Sequence, residues 1–212
     1  MSAEFSRPRP LLLRLWHAFD GLVILGLLGT VFLRKTFLAY RTNGPLIEAK
    51  VAELGGTVST EGATAVAKLL RDRMWEWHHT FGIALLVLVA VRIVVILLDH
   101  DQSPIRSLLH AFAHVRGLPA AARAAALHPL LVKLTHVTFY GLLLVMSVSG
   151  AAMLYKDTLG IGKDLVETIK ETHELLMWGI AAFVPMHILG VVVAELRGER
   201  GLVSEMIHGA KP

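Results

Sequence analysis

Residues 173–194 read HELLMWGIAAFVPMHILGVVVA, an apolar run long enough to cross a bilayer, with His173 and His187 fourteen positions apart. At 100° per residue, fourteen steps return to within about 40° of the starting direction, and at 1.5 Å rise they cover roughly 21 Å. One helix therefore holds two imidazoles on nearly one face, one towards each side of a membrane. The rest of the chain has to supply what meets them.

Composition narrows the setting. A mean hydropathy of +0.58, with 54% hydrophobic and 18% charged residues, excludes an ordinary soluble domain. Cysteine is absent, which removes disulfides, thiolate metal sites, thioether-linked haem and iron–sulfur clusters from this chain. The net charge of +4 suits anionic lipid headgroups, and the scattered basic residues form no stripe for nucleic acid.

Four spans are predicted, at about residues 11–33, 75–98, 130–153 and 173–194, in one all-α membrane domain covering residues 1–212. Residues 1–10 read as a polar lead, followed by a spanning run without a signal-cleavage site. The clean apolar part of the first span is short, so its helix takes in Arg14, His17 and Asp20 as a buried polar stripe. The connection at 34–74 is long; Asn43-Gly44-Pro45 and Gly55-Gly56 signal turns, residues 46–54 a short helix, and 60–74 an amphipathic helix entering the second span. Residues 99–129 read as surface helix, broken at Pro104, Gly117-Leu118-Pro119 and His128-Pro129. The tail after 194 holds one short helical piece. Four spans put both termini on one side. Lys and Arg divide nine on the terminal side against ten on the other, so charge does not say which side that is.

Depth then sorts the histidines. His17 opens span one and His187 lies near the end of span four, both on the terminal side. His78 opens span two and His173 opens span four, both on the opposite side. Two pairs at two levels, each shared by two helices, match the two axial ligands that octahedral haem iron takes from facing helices. Hydrogen-bonded core histidines, a proton relay or quinone ligands are the plain alternatives for any one of them. Zinc would need four ligands at one point, whereas these pairs lie roughly 21 Å apart along the axis. His79 is an alternative to His78. The two point about 100° apart, and Gly82, nearly on the face of His78, leaves room for a flat macrocycle.

Arg14 and Arg92 are candidate partners of haem propionates, against the plainer role of snorkelling cations. His136 opens span three at the terminal-side level; it can replace a ligand there, or contact a propionate or a quinone, and the last two are preferred. Gly26, Gly29, Gly141, Gly150, Gly179 and Gly190 allow close approach of a porphyrin or simply of a neighbouring helix. His100, His110, His114, His128 and His208 fall in polar connections.

RLWHAFDG in span one, WEWHHTFG opening span two, HPLLVKLTHVTFYG at the entry to span three, THELLMWG with PMHILG in span four, and the tail RGERGLVSEMIHG resemble the bacterial cytochrome b561 and nickel–iron hydrogenase b-type cytochrome family. The resemblance covers nearly the whole chain. It implies a four-helix transmembrane bundle with two b-type haems, ligated by His17 with His187 and by His78 with His173, as depth also arranges them. It further implies the bacterial inner membrane, cytoplasmic termini, and electron passage between a periplasmic-side redox protein and membrane quinone. That redox protein would be a hydrogenase-like or c-type cytochrome-containing subunit of a respiratory oxidoreductase. The doubled His78-His79 and the long first connection depart from the family pattern.

The expectation is therefore a di-haem b-type electron-transfer cytochrome, with quinone near His136, Arg14 and His17. Its rivals are a self-contained haem oxidoreductase, for example of superoxide:quinone type, and a histidine-bearing transporter without haem.

Overall fold

The computed structural model describes residues 10–99, 103–197 and 201–209. The polar lead at 1–9, with Arg7 and Arg9, and the positions of His100, Arg200 and Lys211 lie outside the described residues. Among the described residues all regular structure is helical: α1 Leu11–Lys35, α2 Tyr40–Glu53, α3 Thr60–Leu98, α4 Pro104–Gly117, α5 Ala120–Leu154, α6 Lys163–Leu196 and α7 Leu202–Ile207. Helices α1, α3, α5 and α6 are long and apolar enough to cross a membrane, and each contains one of the predicted spans. Their apolar side chains stay largely uncovered: Leu22, Val94 and Leu189 are each more than half exposed. Lipid is the solvent that such a surface needs. The protein is a multi-pass membrane protein.

Two compact units divide the chain, His17–Leu85 and Met1–Trp16 with Leu86–Pro212, and the divisions fall within α1 and α3. In the first unit, residues 26–48 run antiparallel to α3 in one continuous register. A Cβ at Gly26 would lie 3.0 Å from the Phe81 ring, Thr30 meets His78, and Arg34 meets Asp72 and Trp75. Tyr40 meets Lys68 and Arg71, Gly44 packs on Thr64, and Glu48 accepts from Thr60. Helix α2 therefore prolongs the direction of α1 along α3. The 39 residues of α3 reach about 58 Å, roughly twice the hydrocarbon thickness of a bilayer, so α3 is long enough for its start, with α2 beside it, to extend beyond a bilayer as a helical hairpin.

This register explains one departure from expectation. Asn43-Gly44-Pro45 makes no turn and lies inside α2. Gly44 is buried against Thr64, where a side chain would crowd the contact, and Pro45, in the second turn, costs only the bond to the Arg41 carbonyl. Packing outweighs the local turn preference.

In the second unit α4 packs on α5, α5 on α6 and α6 on α7. Ser103 caps α4 by accepting from the Arg106 amide at 3.3 Å, with Pro104 at the first turn. The predicted break at His128-Pro129 is absent, and α5 runs through Pro129. The alanine-rich stretch ahead of it, residues 120–126, has the highest helix propensity available and offsets the missing donor. Helix α6 starts at Lys163, after a turn in which Gly160 takes φ +64°, so His173 stands well inside this helix. The short α7 is held at both ends. Glu195 accepts from the amides of Gly201 and Val203 at 3.0 and 2.9 Å. At the other end the Arg14 guanidinium donates to the carbonyls of Met206 and Ile207.

Candidate haem-ligand site

A haem ligand must be a neutral imidazole with one ring nitrogen bare, and an acceptor on the other nitrogen sets that tautomer. Two histidines are built this way by the same device. In α1, Thr30 Oγ1 donates to the Leu27 carbonyl at 2.6 Å, so the hydroxyl proton is committed. The oxygen is left to accept from His78 Nδ1, 2.9 Å away. In α5, Ser149 Oγ donates to the Met146 carbonyl at 3.1 Å and accepts from His173 Nδ1 at 2.8 Å. Each hydroxyl bonds back to the preceding turn of its own helix and turns a lone pair to the imidazole of another helix. In that tautomer each imidazole carries its proton on Nδ1, and Nε2 is the unprotonated nitrogen, the form that ligates a metal.

His79 has no such backing. It is exposed, and its ring stacks on Trp75 at 6.2 Å and 9°. His78 meets the same indole edge-on at 4.9 Å. Between the two, the hydroxyl partner favours His78. One turn further along α3, a Cβ added at Gly82 would find nothing within 4 Å, the open space a flat macrocycle needs. At His173 the neighbouring helix presents Gly150, whose added Cβ would lie 3.4 Å from His173 Cε1. Here glycine serves the approach of the imidazole itself.

His187 stands in an aromatic group of the second unit. Phe183 stacks on it at 5.5 Å and 11°, and His136 meets it edge-on at 5.7 Å and 84°. Phe139 stacks on Phe183 at 3.8 Å. His136 Nδ1 donates to the Val132 carbonyl at 2.7 Å, so its Nε2 is bare as well. The structure thus brings together His136 and His187, two of the predicted terminal-side histidines. His17 lies on α1 and is exposed. Asp20, one turn beyond it, is buried, and its Oδ1 has no hydrogen-bond partner among the described residues.

The two arginines are engaged by the protein. Arg14 holds the C-terminal end of α7, as described above. Arg92 is buried in α3 at 7% exposure, over the rings of Trp16 at 5.6 Å and Tyr140 at 5.9 Å. These two rings stack on each other at 5.9 Å, and Trp16 Nε1 donates to the Leu88 carbonyl at 2.9 Å. Aromatic faces stabilise a cation that would otherwise be expensive at this depth.

Thr30 and Ser149 were not singled out by the sequence reading. The only local signal is a hydroxyl within an apolar run, which serves equally for helix back-bonding. Among the described residues no three His, Cys, Asp or Glu side chains gather as a metal cluster. The residues present fit haem: hydroxyl-backed imidazoles on two helices, open space at Gly82 beside His78, and a glycine that lets His173 approach closely.

Comparison with curated proteins and with solved structures finds no significant match. The family model for prokaryotic cytochrome b561 matches residues 9–209, nearly the whole chain. The histidine chemistry, the four membrane-capable helices and this match agree, and the chain belongs to the prokaryotic cytochrome b561 family of membrane electron-transfer cytochromes.

Proposed function

We propose that this chain moves electrons across the bacterial inner membrane between a periplasmic-side redox protein and membrane quinone, as the electron-transfer subunit of a respiratory oxidoreductase. Two b haems, one at each side, supply the one-electron chemistry when bound. His78 with His173, and His17 with His187, would hold them, paired by depth along the spans. With two histidines given to each haem, no position would be left for oxygen. The termini lie in the cytoplasm.

The observation that carries this reading is the repeated hydroxyl–imidazole device. Thr30 and Ser149 hold His78 and His173 in the tautomer that ligates through Nε2, and they do so without a charge inside the membrane. On the terminal side, quinone is placed near His136, whose bare Nε2 can accept or deliver a proton while Val132 holds the other side of the ring. Arg14 and Arg92 supply positive charge for propionates, Arg92 from an apolar setting where charge is little screened. The α2–α3 hairpin stands on the side of His78 and is the surface offered to the redox protein.

The test is an optical spectrum of the purified protein with haem quantification. Two b haems per chain are expected, and one after His187→Ala. Purified protein without a Soret band would overturn the haem reading. Unchanged haem content in H187A would overturn the ligand assignment alone.

A further inference from the structure

Charge along the α2–α3 hairpin is sorted by height. At its base, residues 34–41 and 68–76 hold six cations, Arg34, Lys35, Arg41, Lys68, Arg71 and Arg73, against two carboxylates, Asp72 and Glu76. The outer part, residues 42–67, holds Lys50 against Glu48, Glu53 and Glu61. The base adjoins Trp75 and Trp77, which suit the interfacial belt. Along α3, Arg71 and Lys68 stand about 6 and 10 Å beyond Trp75, and each headgroup layer is roughly 5–7 Å thick. Lysine and arginine stems bridge the difference. Positive charge is thus gathered at the height of lipid phosphates and replaced by negative charge away from it.

Within that base, three cations converge on one ring. The Tyr40 centroid lies 4.8 Å from the Arg71 guanidinium carbon, 5.2 Å from Lys68 Nζ and 5.9 Å from the Arg41 guanidinium carbon. Arg71 is also paired with Asp72 at 2.7 Å, and Arg73 with Glu76 at 3.0 Å. Neither Arg41 nor Lys68 has a carboxylate partner among the described residues. Like charges so placed repel each other, and an anion between them would offset that cost. The same field holds the Tyr40 phenol below its ordinary value, through its hydrogen bond with Arg41 first and the surrounding charges after it.

We propose that Tyr40, Arg41, Lys68 and Arg71 form a headgroup site for an anionic phospholipid of the adjoining leaflet. Arg41 and Lys68 bind the phosphate, Arg71 adds field, and Tyr40 separates the cations and offers its hydroxyl. A bound lipid there ties the projecting hairpin to the membrane surface. An acidic protein partner would meet the outer carboxylates of the hairpin before reaching these cations, which is why lipid is the better fit.

Native mass spectrometry of the delipidated full-length holoprotein in detergent, titrated with phosphatidylglycerol, phosphatidylcholine or inorganic phosphate, tests this. Phosphatidylglycerol should bind the wild type more tightly than phosphatidylcholine. Arg41→Gln with Lys68→Gln should weaken it about 30-fold, the worth of two basic residues at an anionic surface. Arg41→Lys with Lys68→Arg, which keeps charge and guards against a folding defect, should bind as the wild type does. Three results overturn the proposal: equal affinity for the two lipids, wild-type affinity in R41Q/K68Q, or inorganic phosphate binding as tightly as phosphatidylglycerol. Cross-linking of Lys68 to an acidic protein in intact membranes, without any phosphatidylglycerol preference, would assign the patch to that protein and also overturn it.

Discussion

Thr30 Oγ1 lies 2.9 Å from His78 Nδ1 while its own proton goes to the Leu27 carbonyl. The threonine therefore acts on the histidine as an acceptor only. Its removal should act on ligation through the imidazole, without removing the ligand. Thr30→Val keeps the shape and deletes the acceptor. Haem at His78 should then be lost to an apo-myoglobin trap with about 10–100-fold lower affinity, while Thr30→Ser retains it. Circular dichroism should show unchanged helix content. Trap kinetics in T30V identical to wild type would leave the hydroxyl without a ligation role. Ser149→Ala should repeat the result at His173.

The adjacent histidines should separate cleanly. His78→Ala should remove one haem per chain. His79→Ala should keep two, because its ring only stacks on Trp75. Haem-to-protein ratios in the two variants measure this, and the reverse pattern would transfer the ligand role to His79.

Arg14 holds α7 by two carbonyls, and Gly209, at φ +82°, passes so close that a Cβ there would collide with the guanidinium. Arg14→Ala and Gly209→Ala should both loosen the tail, the second by a backbone strain of about 1–2 kcal/mol in addition to the clash. Faster limited proteolysis after residue 197 is the expected readout for both. A haem lost in R14A but kept in G209A would give Arg14 a cofactor contact beyond its hold on the tail.

Tyr40 should titrate below the ordinary value of a phenol. Its phenol is depressed by the hydrogen bond with Arg41 first, then by the neighbouring charges. A depressed acid contributes stability above its unfolded value near 10 and loses that contribution as pH falls through the folded value. Neutral pH therefore carries none of it, and the gain appears only as pH rises towards 10. Phenolate absorbance at 295 nm should begin to rise at lower pH in the wild type than in Arg41→Gln. Superimposed titration curves would contradict the placement of Arg41.

Hydropathy was enough to locate the four membrane-capable helices, because a span has to satisfy its backbone internally and show an apolar surface to lipid over some twenty residues. Histidine spacing was enough to put His173 and His187 on one helix, since one helix converts sequence distance into height and angle without help from the rest of the chain. Local punctuation fared worse. The Asn43-Gly44-Pro45 and His128-Pro129 signals lie inside helices, where Gly44 packing on Thr64 and an alanine-rich lead outweigh them.

The partners of the histidines were not legible in the sequence. Thr30 is 48 residues from His78, and Ser149 is 24 from His173. A hydroxyl in an apolar helix reads the same whether it serves its own backbone or a ligand on a neighbouring helix. The choice between His78 and His79 depends on where Thr30 stands across the helix contact. The role of Arg14 depends on where the chain's tail returns. Such relations arise when separate helices meet, and no stretch of sequence contains both halves of them.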